Sequence, residues 1–334
     1  LIEVRMRDWG GEAKPLRALL SALVPRLPHA RWRLVFRPER RGVENLTGMD
    51  RITDRLPAFA RLPDGSPRFS APGVPSSPPD SGPADVSLWL YDHVDDLYPW
   101  YERTVGRLVI RHPTRPRIWL VNPSFLKIAG ALMIDPPEAP ATVPHGMIAA
   151  NLVDETDIRV AAEGFARLRD QMTGLIVAPR VITNPDRNRR IDRALREIGE
   201  TPVPLTEARR DGRRPRVLVV DTYGDLGRLY AGGAITYLGG GFDPRKRGFD
   251  PAESLAAGVP VVTGPLCDYN RVAVEGLAGT GWITRLEDSG SAPDRFVEAA
   301  ERLLARPPSP ADLEAFFNGR RLDPERVAAE ILAG

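Results

Sequence analysis

Residues 247–265 read RGFDPAESLAAGVPVVTGP. Glycine precedes a short helix-compatible stretch, and a helix start there, near Pro251, presents backbone amides that suit a phosphate. Two carboxylates, Asp250 and Glu253, stand within a turn of those amides, where a purely anionic ligand is repelled. Upstream, VVDTYGDLGRLYAGGAITYLGGG (219–241) offers a second amide-bearing turn at Gly224, Asp225 and Leu226, and GLIVAPR ends on Arg180, a charge-assisted fork for the same anion. A nucleotide meets these demands together. Its phosphate takes the amides and Arg180, and its two adjacent ribose hydroxyls donate to Glu253. Plainer roles stay open beside this one. Glu253 can be a first-turn acid favoured by the helix dipole, Arg180 a surface ion-pair partner, and Asp221 and Thr222 the caps of a turn.

The elements that must position these residues read as an alternating α/β chain. Residues 1–7 alternate like a strand, DWGGEAKP turns, and PLRALLSALVPRL has apolar residues at helical spacing. ARWRLVFRP (30–38), VSLWLYD (86–92) and PRIWLVN (116–122) read as further strands. Residues 63–83 are too rich in Pro, Ser and Gly for regular structure, and IDPPEAPATVPHG (134–146) reads as an interdomain linker. Beyond it, predicted helices at 160–172, 188–199, 224–233, 251–258 and 294–306 alternate with strands at 174–180, 216–221, 234–241 and 259–264; PERVAAEILAG closes as a helix. The expected fold class is α/β: two facing Rossmann-like domains with a cleft between them, GT-B-like. The expected domains are 1–140, 141–315 and a closing helix, 316–334, that packs back on the first.

With 334 residues, 42% hydrophobic and 27% charged, the chain suits two soluble domains. No apolar run approaches the ~20 residues needed to span a bilayer, and no signal-peptide pattern opens the sequence. A single cysteine, Cys267, excludes an internal disulfide and fits a reducing cytoplasm. The net charge is +2, yet residues 1–41 hold ten basic and four acidic side chains. That basic face can meet an anionic membrane or a phosphorylated acceptor, or simply be a solvated surface. Without aromatic-interleaved basic motifs, nucleic acid is not an expected partner. His29, His93, His112 and His145 are scattered, so no histidine-bearing metal site is expected. No cofactor is expected either.

The block from VAPR (177–180) through 265 resembles the C-terminal half of bacterial Kdo transferases, which move 3-deoxy-D-manno-octulosonic acid from its CMP donor onto lipid A precursors. The family pattern is Asp-Thr-x-Gly-Glu-Leu, a Tyr four residues on, Gly-Gly closing a strand, and Asn-x-x-Glu ahead of Ala-x-Gly-x-Pro-Val. Asp221, Thr222, Gly224, Leu226, Tyr230, Gly239, Gly240, Glu253, Gly258, Pro260 and Val261 match it, with Asp225 in place of Glu. Trp9-Gly10-Gly11-Glu12 falls where the family has Ser-Val-Gly-Glu, and VDDLYPW (94–100) echoes Glu-x-Glu-x-Trp-Pro through Asp96. The chain departs from the family at Arg247-Gly248-Phe249-Asp250, where the family has Gly-Gly-His-Asn, and lacks the His that follows the family's Arg.

The resemblance implies an inverting glycosyltransferase, independent of metal, acting in lipopolysaccharide biosynthesis at the cell envelope. Glu12 would be the general base, with Gly10, Gly11 and Asp96 on the acceptor. Arg180, Thr222, Gly224, Asp225, Leu226, Gly240, Asp250, Glu253 and Asn270 would hold the donor. Expected partners are a CMP-sugar donor and a lipid or glycan acceptor, with a cytoplasmic location peripheral to the inner membrane. Two alternatives remain open: a UDP-sugar-dependent transferase or epimerase, and a paralogue that binds nucleotide or glycan without turnover.

Overall fold

The structure is a computed structural model. It describes residues 2–6, 23–27, 32–36, 86–90, 109–111, 118–121, 146–222, 225–267, 271–287, 291–319 and 323–333. The chain divides into two units, one of Leu1–Ile134 with Arg320–Gly334, the other of Asp135–Gly319.

In the first unit five strands form one sheet: β1 (Ile2–Met6), β2 (Trp32–Phe36), β3 (Val86–Leu90), β4 (Val109–Arg111) and β5 (Ile118–Val121), in the order β2-β1-β3-β5-β4. All neighbours are parallel except β4 and β5. The expected strands at 1–7, 30–38, 86–92 and 116–122 fall on four of these five. Of the expected helix at 15–27, only residues 23–27 are described, ending in a 3-10 turn, Val24–Arg26. The closing helix, Pro324–Leu332, packs on that turn, and Arg26 Nε donates to Glu325 Oε1 at 2.6 Å. Its start is capped by Asp323, which accepts from the Arg326 amide.

The second unit carries a seven-stranded, wholly parallel sheet. Its strands are β6 (Gly146–Leu152), β7 (Gly174–Pro179), β8 (Pro202–Pro204), β9 (Val217–Val219), β10 (Gly233–Leu238), β11 (Val261–Thr263) and β12 (Ile283–Arg285), in the order β12-β11-β10-β6-β7-β9-β8. Strand β7 is buried throughout and β6 nearly so, as parallel strands covered on both faces must be. From β6 the chain passes to β7, then to the edge strand β8, fills in β9 between β7 and β8, and crosses to β10 on the other side of β6. The topological switch point therefore lies between β6 and β10.

Among the described residues, the helices seen whole are α1 (Glu155–Arg167), α2 (Pro185–Glu197), α3 (Leu205–Asp211), α4 (Leu226–Leu229), α5 (Ala252–Ala256), α6 (Arg271–Gly276), α7 (Ala292–Ala305), α8 (Pro310–Asn318) and α9, the closing helix already described. The predicted helix over 224–233 is instead the single turn α4 followed by a 3-10 turn, Tyr230–Gly232. Its glycine pair, Gly232-Gly233, cannot sustain helix, and Gly233 already opens β10. Strand β6 falls at the edge of the expected linker.

Helices α1 and α7 pack together, and their contact fixes the core. A Cβ on Gly164 of α1 would lie 2.6 Å from the Phe296 ring of α7, so this glycine is the notch that admits the ring. On its other side Phe296 meets Tyr237 of β10 edge to face, with centroids 5.6 Å apart at 77°. Phe165, Leu175, Val177 and Met147 complete the surroundings of a fully buried cluster. Phe296→Ala should lower the stability of the second unit by about 3 to 5 kcal/mol, read as a shift in its urea-unfolding transition by circular dichroism.

Candidate functional site

The loops that follow β6, β7, β9 and β10 emerge at one edge of the sheet, because these four parallel neighbours all end there. Near its end β6 holds Asn151 at a positive φ of 58°, and the β6–α1 connection brings Asp154 to cap α1 through the Asp157 amide. Asp157 then turns inward. Its Oδ2 accepts from the Val153 amide at 2.8 Å and the Gly240 amide at 2.9 Å, while Oδ1 accepts from the Tyr237 hydroxyl at 2.7 Å. One carboxylate thus ties the turn after β6 to the turn after β10 across the switch point.

Three consecutive glycines follow β10, and each answers a different neighbour. A Cβ on Gly239 would lie 2.7 Å from the Asn151 carbonyl oxygen and 2.8 Å from Asp157 Oδ2. Gly240 has φ +78°, and a Cβ there would lie 2.4 Å from the Phe249 ring. Gly241 meets the backbone of Gly264, with a Cβ only 2.6 Å from its nitrogen. The run is therefore explained by packing, with no phosphate required. Phe249 returns toward β10 because the Gly248 amide donates to the Gly240 carbonyl at 2.9 Å. Over its ring lies the Arg180 guanidinium, 5.0 Å from the centroid, and the Arg180 amide donates to the Leu152 carbonyl at 3.2 Å.

A second group gathers around α5. The Asp250 carboxylate accepts from the Ala252 amide at 2.8 Å, so it takes for itself one of the amides that the sequence offered to a phosphate near Pro251. Helix α5 has only five residues, too few for a sizeable macrodipole. What it does is hold Glu253, half-buried, beside Asp250. The Tyr230 hydroxyl feels both carboxylates: burial first, then Glu253 and Asp250, push it well above the ordinary tyrosine range. Ser254 pins the same turn, paired with Thr236 of β10 at 2.8 Å and donating to the Val259 carbonyl at 3.1 Å.

The third group lies after β9. Asp225 accepts both arms of Arg209, at 2.9 and 2.8 Å, and the Thr222 hydroxyl at 2.6 Å. The hydrogen bond from Arg209 holds its carboxyl below the usual range. Asp221 accepts from both the amide and the hydroxyl of Thr206. Thr222, Asp225 and Asp221 thus fasten this loop to α3, and Leu226 opens the one-turn α4. Gly10, Gly11, Glu12, Asp96, Gly224 and Asn270 lie outside the described residues.

Sequence reasoning missed Asp157 and Phe249 as the ring beneath Arg180; Arg187, which the sequence offers in Asn184-Pro185-Asp186-Arg187 as a displaced echo of the family's Pro-acid-Arg, donates through Nε to the Val153 carbonyl at 3.0 Å. Asp157 carried a readable signal: it shares the inward stripe of α1 with Ala161 and Phe165, where an acid is out of place unless it is bonded. Among the described residues, no group of three or more His, Cys, Asp or Glu is placed to hold a metal, and no helix is long and apolar enough to cross a membrane.

No family model matches the chain. Over 91 residues it is 33% identical to a probable 3-deoxy-D-manno-octulosonic acid transferase, mitochondrial, of Arabidopsis thaliana, a match covering 27% of this chain and 20% of that protein. The match thus spans one fifth of that relative's length. Likeness in structure runs the length of the chain. The UDP-GlcNAc 2-epimerase of Methanocaldococcus jannaschii aligns with a TM-score of 0.54 at 12% identity, covering 100% of this chain and 99% of that one. A glycosyltransferase of Rickettsia africae aligns at 0.52 and 11% identity, covering 99% and 98%. At these identities the likeness shows the fold, the α/β Rossmann-like class expected from the sequence.

Burial, followed by the nearby charge of Asp154, raises the Asp157 carboxyl from 3.8 to about 6, against the pull of its three hydrogen bonds. At pH 5 the folded protein therefore keeps a proton that the unfolded chain has released. Stability from this proton is present below about pH 4 and is lost as the pH rises through about 6. An asparagine at this position can accept both amides and donate to Tyr237, yet does not titrate. Relative to wild type, Asp157→Asn should gain about 2 kcal/mol between pH 4.5 and pH 7, measured as the difference in urea-unfolding free energy at the two pH values.

Proposed function

We propose that the protein is an inverting glycosyltransferase that uses a nucleotide-activated sugar, with CMP-Kdo or a related CMP-sugar as donor. The observation that carries this reading is the convergence of Arg180, Gly240, Asp250 and Glu253 on loops that leave one edge of the parallel sheet around its switch point. The 33% identity over 91 residues to a probable Kdo transferase supports the choice of sugar, and CMP is the nucleotide that the family resemblance implies.

In this reading the donor phosphate lies against Arg180, and Glu253 accepts from the two ribose hydroxyls. Asp250 braces the turn that carries Glu253, and Gly240 leaves the space that Phe249 fills beneath Arg180. Thr222 and Asp225, fastened to Arg209, hold the loop that brings Gly224 and Leu226 to the phosphate. Asn270 follows on the same domain. An acceptor hydroxyl, held by Gly10, Gly11 and Asp96, attacks the anomeric carbon. A carbon–oxygen bond forms there as the bond to the phosphate oxygen breaks. CMP leaves with the bonding electrons, and Glu12 takes the hydroxyl proton as general base. The acceptor is a lipid or glycan, reached from a basic N-terminal face resting on an anionic membrane surface.

Calorimetric titration of CMP and UDP into wild type and Glu253→Ala tests the donor. CMP should bind more tightly than UDP, and Glu253→Ala should lose about 10- to 100-fold in CMP affinity, as two hydrogen bonds to a charged group disappear. Glu12→Ala should keep CMP binding and abolish transfer. Preference for UDP would move the donor class, and binding without turnover in wild type would favour a non-catalytic paralogue.

A further inference from the structure

The guanidinium of Arg187 is anchored but not satisfied. Its Nε is spent on the Val153 carbonyl, while Nη1 is buried with no hydrogen-bond partner among the described residues. A buried donor without an acceptor costs about 1 to 3 kcal/mol and asks for an explanation. No described acid offers one, since Arg187 forms no ion pair with any described residue. Arg180 stands in the same position: its guanidinium lies over Phe249, and it too pairs with no described carboxylate.

We propose that Arg180 and Arg187 form one two-cation seat for a phosphate group, with Phe249 as the positioning residue that holds Arg180 in it. The two arginines are anchored on consecutive carbonyls at the end of β6, Arg180 through its amide on Leu152 and Arg187 through Nε on Val153. Their backbones come from different elements, the end of β7 and the first turn of α2, so the shared anchor is what brings them together. The two charges feel each other. Burial, then Arg190, then Arg180 pull the Arg187 guanidinium below its ordinary value, and only Asp157 and Asp154 push it back. Arg190 is itself held toward Glu155 at 3.8 Å, and Asp157 spends its oxygens on Val153, Gly240 and Tyr237. An anion with several oxygens relieves both faults at once, supplying the missing acceptor and the missing charge.

Phe249 is where this chain departs from the family pattern that it resembles. Its ring is in place because Gly240 has no Cβ, and it gives the exposed Arg180 a fixed face to lie on. The seat deepens the donor reading above and depends on it only for which phosphate-bearing molecule arrives.

Calorimetry with CMP, cytidine and pyrophosphate, on wild type, Arg187→Gln, Arg187→Lys, Phe249→Leu and Phe249→Tyr, tests the seat. CMP should bind wild type at least 10-fold more tightly than cytidine. Arg187→Gln should erase most of that difference and leave cytidine unchanged; Arg187→Lys should fall between. Phe249→Leu should weaken CMP about 2- to 5-fold while Phe249→Tyr retains it, as expected for a lost or kept cation–π contact. Thermal melts establish which variants are folded, and Arg187→Lys decides should Arg187→Gln not be. Equal CMP affinity in wild type and the folded Arg187 variant overturns the seat, and unchanged affinity in Phe249→Leu removes Phe249 from it. Where wild type refuses CMP altogether, pyrophosphate bound through Arg187 keeps the seat and sinks the CMP-donor reading. Failure of all these ligands to bind sinks both.

Discussion

The second unit depends on one buried carboxylate. Asp157 joins the first turn of α1, the end of β6 and the glycine turn after β10, and it does so at the point where the sheet changes direction. Without it, the Gly240 and Val153 amides and the Tyr237 hydroxyl would all be buried donors lacking acceptors. Tyr237 carries the constraint inward, since its ring packs on Phe296, whose own place is cut by Gly164. Gly240 carries it outward, to Phe249 and so to Arg180. Core and candidate site are therefore ends of one mechanical line. A change of shape at Asp157 is felt in both directions.

The glycines after β10 answer to packing within the protein. In the sequence, Gly239-Gly240 matches the Gly-Gly that closes a strand in the family pattern the chain resembles. In the structure each glycine is required by a neighbour within the protein: a carboxylate, an aromatic ring, and the backbone of Gly264. The anion seat that we propose rests instead on side chains, Arg180 and Arg187. Short helices reinforce the point. With four and five residues, α4 and α5 orient side chains and contribute little field of their own.

Much of the fold was legible because its strands are β-branched and bounded by turns; VLVV, AITYL and VPVV read as buried strands at once. Strand β6 was not, since GMIAANL has a single β-branched residue, Ile148, and carries no such signature. The break at Gly232-Gly233 was masked by the helical spacing before it. Glu253 and Asp250 stood out as candidates from residue type and spacing, because a carboxylate beside amides that suit an anion is a local contradiction. The stacking of Arg180 on Phe249 and the anchoring of Arg187 on Val153 join residues distant in sequence, and only the order of strands brings them together.

The first unit is not continuous in sequence, since α9 belongs to it although the whole second unit intervenes. This has a consequence for synthesis. At about 5 to 20 residues per second, the ribosome spends roughly 10 to 40 s making the intervening segment. Throughout that interval the turn at Val24–Arg26 waits without the helix that packs on it. Leu23 and Leu27, buried in the finished protein, flank that turn. The first half of the chain to emerge is thus among the last to be completed, and a nascent chain halted before α9 would carry a second unit able to close over its own core beside a first unit still open.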